Sequence, residues 1–406
     1  MRKSLMAALL VASAVLPAAG LAQAKTLTIG FTSSETGKLN ADATPQLRGF
    51  EMWRDQVNAN GGIKAGGTDY KIKLKYYDDQ SKAGRVQQLY SRLILQDNAD
   101  FLFSPYSSGL TSTAAVVSEQ FGKIMLTTGA AEGKTYKLGN KYLFQMYTPA
   151  AQYLKSALEV VKANNPKAKI ALVYSNDGFS QGAAAGAADA AKSMGLNIVL
   201  NQSYSPDTTD FGPIINKIVS SGANVLIGGG HYADGSTLAR QLYDKKANLE
   251  FISLLVAPDI PKFASLGEAA EGVTVPSQWE PSVAYKPDFG PTASQFTTMF
   301  QNKYHTTPGY HAAGGYAAGL VLQHAIEQAG SIKTAAVAKT LNAMDATTFY
   351  GHIRFATKAD EHGLQIGHDM VLAQWQQGSD GKLESKVVWP KSASNAAIVY
   401  PLKKSH

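Results

Sequence analysis

The sequence predicts an α/β protein built as two doubly wound parallel-sheet lobes, and three observations predict it. Short, near-continuous apolar runs alternate with longer stretches of helical periodicity, the order of a parallel sheet covered on both faces. There are about eight such runs, too many for one lobe carrying this much helix. No low-complexity linker separates the halves, so the chain is expected to cross between the lobes more than once.

The first stretch, MRKSLMAALLVASAVLPAAGLAQA, stands apart. Arg2 and Lys3 precede an apolar run that ends in Ala22-Gln23-Ala24, an A-x-A cleavage pattern. The run is short and broken by Pro17 and Gly20, so it suits a removed signal peptide (1–24) better than a membrane span. The mature chain then begins at Lys25 and is exported.

Strands are expected at 26–31, 71–77, 101–104, 123–127, 169–174, 197–201, 224–228 and 251–255. The first helix is expected to begin with Thr44 as N-cap and Pro45 at the first helical position. Leu47, Phe50, Trp53 and Val57 then recur at helical spacing, and Asn60-Gly61-Gly62 stops the helix. Later helices are expected at 82–97, 109–121, 149–163, 181–194, 210–221, 234–244, 291–304, 311–329 and 333–343. The tail differs: 351–356, 369–375 and 384–390 read as strands without long helices between them, an antiparallel addition.

Composition removes several classes of function. There is no cysteine, so disulfides, thiol catalysis, cysteine metal sites and a lipoprotein anchor are excluded. The formal charge is +7, and removing Arg2 and Lys3 with the leader lowers it to +5. The lysines are scattered, and no basic cluster of nucleic-acid type appears. The eight histidines form no H-x-x-x-H or H-E-x-x-H pattern, so neither a metal nor a cofactor is expected.

Chemistry concentrates at strand ends. Ser107, Ser108 and Gly109 follow a short apolar strand and open a helix. Such a turn aims backbone N–H groups and a helix dipole at one point, which suits a carboxylate, although serines there also serve as ordinary caps. Thr127, Thr128, Gly129 and Ala130 end the next strand. Gly129 admits a close approach to the backbone and Thr128 offers a hydroxyl, though an ordinary turn reads the same. Gly178-Phe179-Ser180-Gln181-Gly182 spells G-x-S-x-G, the outline of a hydrolase nucleophile elbow. Ser175, Asn176 and Asp177 loosen the turn between strand and motif, which argues against Ser180 as a nucleophile. Gly228-Gly229-Gly230 lacks phosphate-loop spacing and leads into His231 and Tyr232. Asp259 lies just past another strand, where it suits a cation partner or a helix cap beside Pro261. Trp279 suits either the mouth of a cleft or a hinge.

An ordered set of stretches resembles periplasmic type I solute-binding proteins of ABC importers, of the branched-chain amino acid type. These are DQVNANGGIKAGGTDYKIKLKYYDDQS (55–81), SPYSSGLTSTAA (104–115), IMLTTGAA (124–131), GGGHYADGSTLARQL (228–242), AAEGVTV (269–275) and PGYHAAGGYAAGLVLQHAIEQAG (308–330). The resemblance implies a three-strand hinge near 145–150, 276–283 and 347–352. Lobe 1 would be 25–147 plus 280–348, and lobe 2 would be 148–279 plus 349–406. It implies a small hydrophobic or branched-chain amino acid, or a related carboxylate, held in the interlobe cleft. The acid head would lie on Ser107, Ser108, Thr128, Gly129 and Ala130. Phe179 and Tyr232 would close over it, and Asp259 would pair with an ammonium. Ala131 stands where a threonine is common, which opens an amine-free aromatic or aliphatic acid as the second ligand class. The implied setting is the periplasm, as a non-enzymatic monomer serving an inner-membrane permease. A periplasmic sensor of the same fold and a secreted hydrolase using Ser180 are the competing readings.

Overall fold

The computed structural model describes residues 24–402, so the expected signal peptide lies outside the described residues. Two parallel sheets organise them. The first holds β1 (Lys25–Ser33), β2 (Ile63–Ala65), β3 (Thr68–Asp78), β4 (Phe101–Phe103), β5 (Met125–Thr127) and β6 (Leu143–Gln145), in the order β2-β3-β1-β4-β5-β6. Only β2 runs antiparallel to its neighbour. The second holds β7 (Lys169–Ser175), β8 (Asn197–Tyr204), β9 (Val225–Gly229), β10 (Phe251–Leu254), β11 (Thr274–Ser277), β14 (Val371–Gln377) and β15 (Leu383–Trp389). Its order is β15-β14-β11-β10-β9-β7-β8, and the last two strands in sequence form the antiparallel edge.

Helices follow the strands as the alternation requires. On the first sheet lie α1 (Asn40–Ala59), α2 (Ala83–Leu95) and α3 (Ser108–Gln120). The second sheet carries α4 (Lys155–Asn164), α5 (Gly178–Met194), α6 (Gly212–Ser220) and α7 (Tyr232–Asp244). The chain then returns to the first with α8 (Ala293–Tyr304), α9 (Tyr310–Ala329) and α10 (Thr334–Asn342). α9 is apolar on nearly every face and is buried on nearly every face. Its backbone lies directly on α1: a Cβ on Gly49 would meet the Ala312 carbonyl oxygen at 2.3 Å, and one on Gly315 would meet the Gln46 carbonyl oxygen at 2.5 Å. Phe31, Phe50, Trp53 and Phe103 pack beneath that contact, with the Phe50 and Phe103 rings stacked at 4.5 Å.

Two expectations need correction. α1 starts at Asn40, not after Thr44, and Pro45 lies inside it. Contacts outside the helix hold its start: the Leu39 N–H donates to Ser81 Oγ, and Asn40 Nδ2 donates to the Ser34 and Glu35 carbonyls just past the end of β1. The Thr44 hydroxyl donates back to the Asn40 carbonyl as an interior residue does. The tail segment 351–356 does not join the second sheet. β12 (Asp345–Thr348) and β13 (Gly351–Arg354) form a separate hairpin. The chain then stays with the first sheet: the Gln145 N–H donates to the Gly363 carbonyl, and Ala356 and Leu364 pack with Tyr136 and Leu143.

The sheets are joined where three stretches of chain pass side by side. Gln278 accepts from the Thr148 N–H at 3.0 Å and donates to the Thr148 carbonyl. The Thr148 hydroxyl donates to the His368 carbonyl, and His368 Nε2 meets the Gln278 carbonyl at 2.6 Å. Trp279 lies in this knot rather than at a cleft mouth. It is fully buried, its indole N–H donates to the Phe349 carbonyl at 3.0 Å, and its ring packs edge-on to Phe296 and Phe349.

Candidate functional site

The carboxyl ends of both sheets face each other, the position where open α/β sheets bind ligands. Between them lies a small cavity of about 10 Å³, room for one water at most. From the first sheet's side come Tyr106, Ser108, Gly129, Ala131, Tyr310 and His311. Phe179, His231 and Val256 close it from the second, and Tyr147 and Tyr153 flank the first crossing.

The β4–α3 turn is built for donors. Ser107 has φ +83°, a costly conformation for a residue with a Cβ. It is held by its N–H on the Gly129 carbonyl and by its hydroxyl, which accepts from the Leu110 N–H and caps α3. Ser108 Oγ accepts from the N–H groups of Ala131 at 3.2 Å and Glu132 at 3.1 Å. Both lone pairs are therefore engaged, which leaves its proton as the one donor Ser108 can offer to the cavity it lines. Thr128 is fully buried and its hydroxyl has no partner among the described residues. Gly129 has no room for a side chain, because a Cβ would lie 2.9 Å from both Gln46 Oε1 and the Tyr106 backbone. Ala130 is buried behind the cavity, its carbonyl accepting from Gln145 Nε2.

On the opposite wall Phe179 stacks edge-on to Tyr153 and tilts against His231. Val256 has φ +50°, and the Ala257 N–H turns back to the Leu255 carbonyl, a strained γ-turn in the cavity wall. Tyr232 sits half-buried beside the cavity rather than in its wall. Asp259 lies behind His311, whose Nδ1 is 3.1 Å from Asp259 Oδ2. It also receives long bonds from the Tyr310 N–H and the Ser277 hydroxyl. Burial pushes the Asp259 carboxyl up and the His311 imidazole down to about 4, so both lean toward their neutral forms.

A chain of polar contacts spans the two walls. Tyr106 Oη lies 3.4 Å from Asp42 Oδ1 and 3.0 Å from His231 Nδ1. His231 Nε2 is 3.7 Å from Asp177 Oδ1. Burial alone would lower the imidazole, but Asp177, Asp42 and Asp234 outweigh it and hold it at about 9, so His231 is a cation. Asp177 is depressed in return: burial opposes its charge, and His231 and Ser180 prevail. Ser180 takes part in the α5 helix cap in this arrangement. Its hydroxyl donates to Asp177 Oδ2 at 2.8 Å and its N–H to Oδ1 at 3.0 Å, so Asp177 caps α5 through it, and the depressed carboxylate it faces is a weak base with no histidine between them.

Of the residues expected from the sequence, Ser108, Gly129 and Phe179 line the cavity, while Ser107, Thr128, Ala130, Tyr232 and Asp259 stand behind or beside it. Tyr106, Tyr147, Tyr153, Tyr310, His311 and Asp42 were not expected. Pro308-Gly309 before Tyr310 was the available signal, since it opens α9 toward the cleft.

Comparison with known proteins agrees with this fold. The model of the family described as periplasmic binding protein matches residues 26–382. A Leu/Ile/Val-binding protein homolog of Brucella melitensis is 24% identical over 378 residues, covering 90% of this chain and 92% of the relative. The leucine-binding protein LivK of Thermotoga maritima superposes with a TM-score of 0.76 at 19% identity, covering 90% of this chain and 99% of that one. A solute-binding protein of Rhodopseudomonas palustris, solved with 3,4-dihydroxybenzoic acid, gives 0.77 at 16% identity, covering 93% and 98%.

Proposed function

The chain belongs to the periplasmic binding protein family, and from that premise we propose that it is the substrate-binding component of an ABC importer, taking a small hydrophobic or branched-chain amino acid or a related carboxylate between its lobes. The observation that carries this is the cavity itself. It is walled by both lobes at the ends of their strands, with Ser108 and the α3 N-terminus on the first lobe's side and rings on both. Ser107, Ser108, Thr128, Gly129 and Ala130 hold the acid head, Phe179 and Tyr232 close over the apolar part, and Asp259 orients His311.

Lobe 1 comprises about 25–147 and 280–366, and lobe 2 about 148–279 and 367–402. The bonds joining Thr148, Gln278 and His368 support crossings at those three points, the last some way beyond the expected 347–352. Ligand entry parts the lobes about these crossings, and closure forms the surface that an inner-membrane permease reads. The protein works in the periplasm as a monomer and performs no covalent chemistry.

An amine-free aromatic acid is the second reading, favoured by the ring-rich wall, by the methyl group of Ala131, and by the dihydroxybenzoate-bound relative. Both readings are tested by one experiment. The mature protein is unfolded and refolded to strip ligand, then melted with amino acids, benzoates and short-chain acids. A ligand at about 100 times its Kd adds roughly 2.7 kcal/mol, a rise of several degrees. No rise with any of them leaves the importer reading unsupported and brings the sensor and hydrolase readings back for testing.

A further inference from the structure

Four aspartates lie around the cavity, and three are fully engaged. Asp177 accepts from the Ser180 N–H and hydroxyl and pairs with His231. Asp234 accepts from the His231 N–H at 2.8 Å and the Tyr204 hydroxyl at 2.6 Å. Asp259 meets His311, Tyr310 and Ser277. Asp42 is different. It is fully buried, its Oδ1 has only long bonds from the Tyr106 hydroxyl at 3.4 Å and the Tyr232 N–H at 3.3 Å, and its Oδ2 has no partner among the described residues. A buried carboxylate oxygen left without a donor is costly, and native structures rarely leave one so.

We propose that Asp42 is the residue that selects a protonated amine on the ligand. The inference rests on the importer reading and names its substrate class: an α-amino acid with an apolar side chain. Asp42 sits in the first turn of α1, a helix of the first lobe, and accepts the N–H at the start of α7 in the second. Its position is therefore completed only when the lobes meet. Tyr106, to which it bonds, lines the cavity, as do His231 and His311; burial raises the Asp42 carboxyl, and the His231 cation opposes that rise without cancelling it. Gln46, one turn further along α1, reaches Gly129, so this face of α1 looks onto the ligand loops. A ligand ammonium reaching Oδ2 supplies the missing donor and a charge-assisted bond. Asp259 is the less suitable partner, because His311 and the start of α9 already occupy it.

The test compares L-leucine with isocaproate, and L-phenylalanine with hydrocinnamate, each pair differing in the amine. Calorimetric Kd values are measured for the stripped wild type, Asp42→Asn and Asp259→Asn. The expected result is that wild type prefers the amino acids by more than about tenfold. Asp42→Asn loses that preference while keeping its affinity for the amine-free acids, which also shows that it folds. Asp259→Asn retains the preference. An unchanged preference in Asp42→Asn, or an equal loss for both members of a pair, overturns the inference and leaves Asp42 a structural or water-bound residue. A wild type that prefers the amine-free acids overturns it too, without touching the importer reading. A wild type that binds neither member of either pair overturns it as well, and the importer reading is then decided by the benzoates and short-chain acids.

Discussion

His231 sits where single residues decide how the two walls hold together. Its folded pKa of about 9 lies above the ordinary 6.5, so protonation favours the folded, closed protein. That contribution is fully present below pH 6.5 and is lost as pH rises through about 9, roughly 3 kcal/mol at most. Urea titrations from pH 6 to 10 should show the wild type losing its advantage over His231→Gln across this window; a constant gap would remove His231 as the cause. Ser108→Ala makes a second case. It leaves the Ala131 and Glu132 N–H groups without an acceptor, an expected loss of about 1–3 kcal/mol. Ligand affinity should fall more than about tenfold, read by calorimetry.

At the scale of elements, the α1–α9 contact depends on missing side chains. Gly49→Ala places a methyl against the Ala312 carbonyl, and backbone cannot step aside as a flexible side chain can. A loss of about 1–3 kcal/mol is expected in a thermal melt, against little change for the unobstructed Gly84→Ala. This is also the scale at which the sequence was most legible. The long apolar strands and periodic helices announce themselves because burial on both faces leaves no polar interruption. β11 did not, because Pro276 sits within it, a residue that usually argues against an interior strand. The start of α1 was misread because its anchors lie in other segments, at Ser34 and Ser81. The site was legible only where a strand end announces a ligand loop, as at Ser108 and Gly129. Asp42, Tyr147 and His311 come from helix starts and a crossing segment, and only the tertiary fold brings them together.

For the whole molecule the expected motion is closure about three crossings. Lys38 and Asp207, paired at 2.8 Å from opposite lobes, are exposed and add little stability. They do mark the rim. The chain has no cysteine, so Lys38→Cys with Asp207→Cys accepts two dyes without background labelling. Energy transfer between them should rise on adding a ligand that raises the melting temperature; an unchanged signal would mean that binding does not move the lobes. Trp279→Phe removes the indole bond to Phe349 within the knot of crossings and should alter the rate of that rise more than its final level.

The close seating of α1 on α9 has a consequence for how the protein is made. The first sheet is complete at Gln145, yet the helix that covers α1 ends at Ala329. While the intervening stretch is being synthesised, the Gly49 face and the aromatic cluster under it have no lid. The amino-terminal part therefore cannot reach its final packing until most of the chain has left the ribosome. A long delay of that kind holds a nascent chain open, the state in which a threading channel can still take it.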